Sequence, residues 1–331
     1  MAIIFRNLEE IDQPLKNPVL TIGNFDGVHK GHIALFDKVK ERASALGGQS
    51  VVMTFDPHPM KVMNPQGGPP LITPTEQKLR LIEEAGVNII FCLTFTKEFA
   101  KIKAHEFVRE LLVGKIGVKE VVVGYDYTFG HHREGNIELL KNLGEKHGFL
   151  VHVIGPVEVE GRLVSSTSIR NLVREGKLEE AEPLLGRHYE VCGTVVKGKN
   201  RGGRLLGFPT ANLELVDELV PKQGVYAVEV VVNGNSYLGV TNIGHNPTFG
   251  NGALSVETHL LDFSGDLVGK TIRIKFVRRL RDEKRFERIE ALAAQIAKDI
   301  EQARLILGIS REEVTNSSNQ ISTNHPLSLT T

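Results

Sequence analysis

The chain has 331 residues, which exceeds a typical single domain and suits two, each burying its own core. Lys plus Arg balance Asp plus Glu at 40 each with no basic block, so the electrostatic footprint of nucleic-acid binding is missing and small-molecule chemistry becomes the working class. No apolar run approaches the roughly 20 residues that cross a bilayer. With no charged, apolar and small-residue leader and only Cys92 and Cys192, far apart, the chain reads as a soluble, cytoplasmic protein without disulfides.

From residue 19 to 154 short β-rich runs alternate with helical patterns: PVLTIG, HKGHIALFDKVKERASAL, QSVVMTF, TEQKLRLIEEAG, VNIIFCLTF, AHEFVRELLVGKIG, KEVVVG, NIELLKNLGEKHG and FLVHVIG. This alternation predicts a doubly wound parallel sheet wrapped by helices, an α/β half. Val51-Val52-Met53 and Val121-Val122-Val123 are continuously apolar, as central strands covered on both faces require.

Two helical segments follow, SSTSIRNLVREG and KLEEAEPLLG, and near Gly186-Arg187-His188 the pattern changes to period two in YEVCGTVV, GVYAVEVVV, NSYLGVTNI, SVETHLLDF and KTIRIKFVRRL. With NGN and SGD turns between them, these runs predict a small antiparallel barrel or sandwich, an all-β half. A last helix, about 283 to 307, places Phe286, Ile289, Ala293, Ile296 and Ile300 on one stripe and should pack on the barrel. The boundaries expected are 1–185, 186–310 and a tail, 311–331, rich in Ser, Thr and Asn and expected to be disordered.

GNFDGVHKGH (23–32) falls where the first buried strand should end and a helix begin, the position at which open parallel sheets bind ligands. Gly23 and Gly27 allow the backbone to approach phosphate oxygens, and the first N–H groups of the helix point at the same anion. His29 and His32 share one face of that first turn and can donate to phosphate oxygens as charge develops there. Alone, the pair also fits a capped or solvated helix end; a zinc reading lacks a nearby cysteine and a third ligand. In SSTSIR (165–170), Ser166 or Thr167 can cap a helix and Arg170 can fork onto phosphate oxygens.

In the β-rich half, GFPTAN (207–212) offers a fixed proline and the oxygen ligands Thr210 and Asn212, which suit Mg²⁺ on nucleotide phosphates but also an ordinary turn. The alternation of SVETHLLDF sets Glu257 and His259 opposite Val256 and Thr258. KGKNRGGRLLG, upstream, has the composition of a mobile phosphate-covering loop or a plain solvated turn. GDLVGKT (265–271) has three residues between its glycines where a P-loop has four; it leads into a strand pattern and reads as a hairpin turn.

Four of these strings carry a resemblance in the N-terminal half: GNFDGVHKGH, FDPHP (55–59), GYDYTFG (124–130) and SSTSIR follow one another as in bacterial bifunctional riboflavin kinase/FAD synthetases, and GFPTAN with VETHLLDF resembles the kinase module of that family. The resemblance spans 19 to about 307 and implies a C-terminal domain that phosphorylates riboflavin with ATP and an N-terminal domain that adenylylates FMN to FAD. It further implies ATP contacts at Gly23, Phe25, Asp26, Gly27, His29, His32, Ser166, Thr167 and Arg170, and an FMN pocket at Phe55, His58, Asp126 and Phe129. Tyr127 stands where the family usually has Phe. In the kinase module it implies ATP at Gly207, Pro209 and Thr210, Mg²⁺ on Thr210 and Asn212, Glu257 as the base on the ribityl 5′-hydroxyl, and Arg281 near the flavin. Small-molecule partners (ATP, riboflavin, FMN), no nucleic acid, no membrane and a monomer or weak homo-oligomer complete the expectation. The rivals are a cytidylyl- or pantetheine-type transferase, which FDPHP and the attached kinase module disfavour, and a flavin-binding module without turnover, which His29, His32, Thr210, Asn212 and Glu257 disfavour.

Overall fold

The computed structural model describes residues 1–197, 208–215, 218–245 (His245 by its backbone alone) and 254–308. They divide into two compact units, the first comprising Met1–Asn171 with the short segments Pro183–Arg187 and Asp217–Leu219, the second the remainder. Gly207, the KGKNRGGRLLG loop beyond Lys197, and the 311–331 tail lie outside the described residues.

The first unit is built on a six-stranded sheet of order β1-β4-β3-β2-β5-β6, from β1 (Ile3–Phe5), β2 (Val19–Ile22), β3 (Ser50–Asp56), β4 (Ile89–Thr94), β5 (Glu120–Gly124) and β6 (Leu150–Ile154). Every pairing in it is parallel, as the alternation of strands and helices requires. Successive residues of the central strands supply two separate cores. Leu20, Met53, Phe91 and Val121 face a cluster closed by Phe107, Leu112 and Leu140. Val19, Val52, Ile90 and Val122 face one closed by Phe36, Val39, Leu79 and Ile82. Both faces are therefore covered, which is why these strands read as continuous apolar runs. From β2 the chain winds outward to β3 and β4 on one side and to β5 and β6 on the other, so the carboxyl end of β2 is the switch point at which such sheets bind ligands.

A short antiparallel pair, β7 (Glu158–Val159) and β8 (Arg162–Leu163), follows β6 in the first unit. The second unit is a closed barrel of order β10-β13-β12-β11-β14-β9, from β9 (Tyr189–Val196), β10 (Ala211–Glu214), β11 (Gly224–Val232), β12 (Asn235–His245), β13 (Leu254–Leu260) and β14 (Thr271–Arg281). All its ladders are antiparallel. The NGN turn closes the β11–β12 hairpin with Val232 opposite Asn235; Asn233 at φ 50° and Gly234 at φ 84° give the two left-handed residues that match strand twist. The 265–271 segment is not a hairpin turn: it joins β13 to β14, which have different neighbours in the barrel. Local turn composition marks a chain reversal, but only the barrel closure decides which strands pair.

The last helix is shorter than its sequence pattern, running from Ile289 to Ile306. Phe286 precedes it and Ile289 is 53% exposed, while Ile300, Ala303, Ile306 and Leu307 meet Val225, Ala227 and Val240. The helix is anchored by charge as well as apolar contact: buried Asp299 receives Arg281 Nε at 2.9 Å and Nη2 at 2.7 Å, with Gln295 Nε2 at 2.9 Å. Among the described residues no helix is long and apolar enough to cross a membrane.

Candidate active sites

Between β2 and helix α1 (Lys30–Ala45), the loop 23–29 takes a costly path, with left-handed Phe25 (φ 50°), Gly27 (φ 92°) and Val28 (φ 38°). Only glycine suits the positions on either side of Phe25: a Cβ on Gly23 would lie 2.8 Å from the Phe25 ring, and one on Gly27 3.1 Å from Ile72. Phe25 is 2% exposed and packs edge-on against Phe36 and His32, so its ring anchors the loop from beneath.

The path holds because its backbone groups are gripped from outside. The Asn24 carbonyl accepts from Thr54 Oγ1 at 3.1 Å and Lys78 Nζ at 3.3 Å. The Asp26 carbonyl accepts from Ser166 Oγ at 2.8 Å, and those of Gly27 and Val28 from Arg187 Nη2 and Nη1 at 2.7 and 3.0 Å. The Gly27 N–H donates to Thr73 Oγ1 at 2.9 Å. With its carbonyls turned to these donors, the loop can present N–H groups to an anion, beside the lysine and arginines that hold it.

Asp26, read from sequence as an ATP contact, has its carboxylate turned inward. It accepts from the Ile72 and Thr73 N–H groups at 3.2 and 3.0 Å and pairs with Arg170 Nη2 at 2.7 Å, both side chains buried. Arg170 Nε also reaches the Pro70 carbonyl at 3.3 Å. The aspartate thus fixes Arg170 beside the loop. The helix Ser166–Glu175 is capped by Ser165, whose Oγ accepts from the Ser168 N–H at 3.1 Å; Ser166 and Thr167, the caps expected from sequence, are not used so. Ser166 serves the loop instead, and Thr167 is exposed.

His29 is the N-cap of α1, and its Nδ1 accepts from the His32 N–H at 3.4 Å, leaving the proton of the neutral ring on Nε2. The two imidazoles stack with centroids 3.6 Å apart. Burial, opposed by the Asp26 carboxylate, pushes the His29 imidazole down to about 4, and burial beside His29, Lys78 and Arg187 holds His32 well below its usual value. Both are neutral donors at physiological pH. His32 Nδ1 is buried without a hydrogen-bond partner among the described residues.

The flavin residues expected from sequence lie at the carboxyl ends of β3 and β5. His58 caps the short helix Pro59–Met63 through the Met60 N–H at 3.1 Å, after a cis Asp56–Pro57 peptide, and burial pushes its imidazole down to about 4. Asp126 is exposed. Phe55 and Phe129 belong to one aromatic chain, Phe55–Phe99–Phe107–Phe129, with centroid spacings of 5.6, 6.4 and 5.9 Å, and Tyr127 stacks on Phe129 at 5.6 Å. Exposures of 8% and 7% for Phe55 and Phe129 make them the wall behind a ligand more than its stacking partners.

In the barrel, register places Asn212 of β10 and Asn242 of β12 on either side of Glu257 of β13, a polar row across three strands. Residues directly opposite in an antiparallel ladder share a face. Asn212 is 5% exposed with Oδ1 buried and unpartnered among the described residues. Pro209 is exposed, and its carbonyl meets His259 Nδ1 at 2.8 Å while the Phe208 ring stands edge-on to that imidazole, so β13 positions the GFPTAN turn. Thr210 is half-buried two residues before Asn212. Arg281 is engaged by Asp299 and, through Nη1, the Asp282 carbonyl at 3.0 Å, so its guanidinium anchors the last helix.

Lys78, Arg187, Thr54, Thr73 and Asn242 escaped the sequence reading. Lys78 looks like a solvated position of an amphipathic helix and Arg187 like part of a linker; neither carries a motif, and only their partners reveal them.

Comparison with known proteins agrees with this division. The FAD synthetase family matches residues 11–168 and the riboflavin kinase family residues 185–307. A bifunctional riboflavin kinase/FMN adenylyltransferase of Pseudomonas fluorescens is 40% identical over 304 residues, 92% of this chain and 97% of that one; its counterpart in Escherichia coli strain K12 is 38% identical over 310 residues, 93% and 99%. A solved structure described as a macrolide-efflux protein from Streptococcus pneumoniae has the same fold, with a TM-score of 0.82 at 33% identity over 93% of this chain and 99% of that one. Two family matches in the order of the two sites, and relatives alike over nearly their full length, establish that this chain belongs to the bifunctional riboflavin kinase/FMN adenylyltransferase family.

Proposed function

We propose that the chain makes FAD from riboflavin in two reactions. The barrel, 186–310, transfers the γ-phosphoryl group of ATP to riboflavin, giving FMN and ADP; the parallel-sheet domain, 1–185, transfers AMP from a second ATP to FMN, giving FAD and pyrophosphate. The observation that carries the reading is the pair of preorganised sites, the stacked neutral His29 and His32 at the switch point of the sheet and the Asn212–Glu257–Asn242 row on the barrel.

In the first reaction Glu257 accepts the proton of the ribityl 5′-hydroxyl as its oxygen attacks the γ-phosphorus and ADP leaves. Thr210 Oγ1 and the unpartnered Asn212 Oδ1 are hard oxygen donors that fit Mg²⁺, which when bound neutralises phosphate charge. Glu257, directly across from Asn212, is then placed beside the phosphates.

In the second reaction an FMN phosphate oxygen, already anionic, attacks the α-phosphorus of ATP, so a strong base is unnecessary. His29 Nε2–H and the His32 ring donate to phosphate oxygens as charge grows, and Arg170, fixed by Asp26, lies beside the leaving pyrophosphate. Phe55, His58, Asp126 and Phe129 frame the flavin end. The partners are small molecules, and the enzyme is placed in the cytoplasm as a monomer or weak homo-oligomer.

Incubation with riboflavin, ATP and Mg²⁺, followed by chromatography in time, tests the reading. FMN should appear first and FAD after it, with ADP and pyrophosphate as co-products; failure to form either flavin nucleotide overturns it, and omission of Mg²⁺ should stop FMN formation.

A further inference from the structure

Lys78 is a buried cation at the nucleotide site with no sequence signal to explain it. It projects from the helix Thr75–Glu84, is 5% exposed, and among the described residues forms no ion pair with a carboxylate. Its Nζ donates to the Phe55 carbonyl at 2.9 Å and to the Asn24 carbonyl at 3.3 Å. A buried ammonium whose hydrogen bonds go to two carbonyls is expensive, and burial lowers its pKa, opposed by the nearby Asp26 and Asp56 carboxylates. A hydrophobic residue would fill the same helix position at less cost, since Leu79 and Ile82 beside it already belong to the core.

The two carbonyls belong to different parts of the site. Asn24 lies in the loop that leads into His29 and, on the first turn of α1, His32, whereas Phe55 lies at the end of β3, three residues before His58. Strands β2 and β3 are paired as far as Ile22 and Met53, and the Gly23 N–H donates to the Met53 carbonyl at 3.0 Å; past Gly23 the ladder no longer fixes the two segments to each other. Two short links continue across the gap: Lys78, and Thr54 Oγ1, which donates to the same Asn24 carbonyl at 3.1 Å.

We propose that Lys78 is a positioning residue for adenylyl transfer, setting the distance and direction between the nucleotide loop and the flavin-side segment that follows Phe55. The inference rests on the adenylyltransferase reading of this site. It predicts a specific kinetic signature. If Lys78 aligns two bound substrates, its loss misplaces attacking oxygen and phosphorus without removing contacts to either ligand, so kcat falls while each KM changes little. A group that merely stabilises the fold would reduce the amount of active protein and leave kcat per active site unaltered.

The test uses full-length wild-type protein, Lys78→Met and Lys78→Arg, with FAD formation from supplied FMN measured per folded molecule and riboflavin phosphorylation as the internal reference. Lys78→Met should lower kcat for FAD formation about 100-fold, hold both KM values within about three-fold and leave FMN formation unchanged; Lys78→Arg should recover part of the loss. A Lys78→Met enzyme with kcat near wild type, or a loss confined to KM, overturns the proposal. Should Lys78→Met fail to fold, Thr54→Val decides: it removes the second link to the Asn24 carbonyl, and an unchanged kcat there overturns the proposal, whereas a fall of about three- to ten-fold with unchanged KM supports it. Absence of FAD formation by the wild-type protein would sink the adenylyltransferase reading itself, a result distinct from failure of the variants.

Discussion

The two sites are held rigid in different ways. At the nucleotide loop of the parallel-sheet unit, the backbone is bent through three left-handed residues and kept there by side chains from elsewhere in the unit: Thr54, Thr73, Lys78, Ser166 and Arg187 each take a backbone group. In the barrel Asn212, Glu257 and Asn242 sit on strands, where ladder pairing sets them in register. The contrast follows the chemistry. Adenylyl transfer to an already anionic nucleophile needs donors arranged around developing charge, and a loop offers backbone N–H groups that a strand has committed to its ladder. Phosphorylation of a hydroxyl needs groups held at fixed spacing around the acceptor, which neighbouring strands can provide.

Four variants would break or sharpen this comparison. The largest effect is expected of Glu257→Gln, which should lower FMN formation by about 10²–10⁴ while FAD formation from supplied FMN persists; equal loss of both activities would show that the sites are not separable. His29→Ala combined with His32→Ala should produce the mirror image, with FAD formation down by about 10²–10³ and FMN formation intact. Gly27→Ala acts on the loop alone. At φ 92° and against Ile72 a side chain should cost about 1–2 kcal/mol and slow FAD formation about tenfold, whereas a wild-type rate would mean that the loop conformation is not critical.

The smallest catalytic effect belongs to Glu120→Gln, at the opposite end of β5 from the site. Glu120 is buried, accepts from Arg42 Nε and Nη2 at 2.7 Å each, and meets His152 Nε2 at 2.7 Å. The Arg42 hydrogen bonds, aided by His152 and opposed by burial, hold its carboxyl below the usual range. Its stabilisation is therefore complete above the unfolded value of 4.5 and is lost as pH falls through the lower folded one. The substitution should cost about 2 kcal/mol near pH 7, leave both activities unchanged, and cost progressively less in acid; chemical denaturation at several pH values checks the sign.

The strings GNFDGVHKGH, SSTSIR, GFPTAN and VETHLLDF were enough to anticipate a loop at a strand–helix junction and a carboxylate on a barrel strand, because these features depend on local spacing: glycines where φ is positive, histidines one turn apart, alternation along a strand. Partner choice was not legible. Asp26 and Arg170 are 144 positions apart and nothing in the sequence pairs them, and the same holds for Arg281 and Asp299. The last helix was read from an apolar stripe beginning at Phe286, although a buried ion pair and Ala303 locate its inner face.

Composition and periodicity by themselves determined that the chain has a parallel α/β half followed by an antiparallel β half, since helical and strand periods are properties of neighbouring residues. The positions of glycine and histidine pointed to the strand–helix junction of the first half as the place to look for an anion site. Tertiary structure alone decided which strands close the barrel and that Lys78 and Arg187 grip the nucleotide loop. The physical reason is that each of these cations is defined by the carbonyls it meets, and those are brought to it by the tertiary fold and not by any pattern around the lysine or arginine itself.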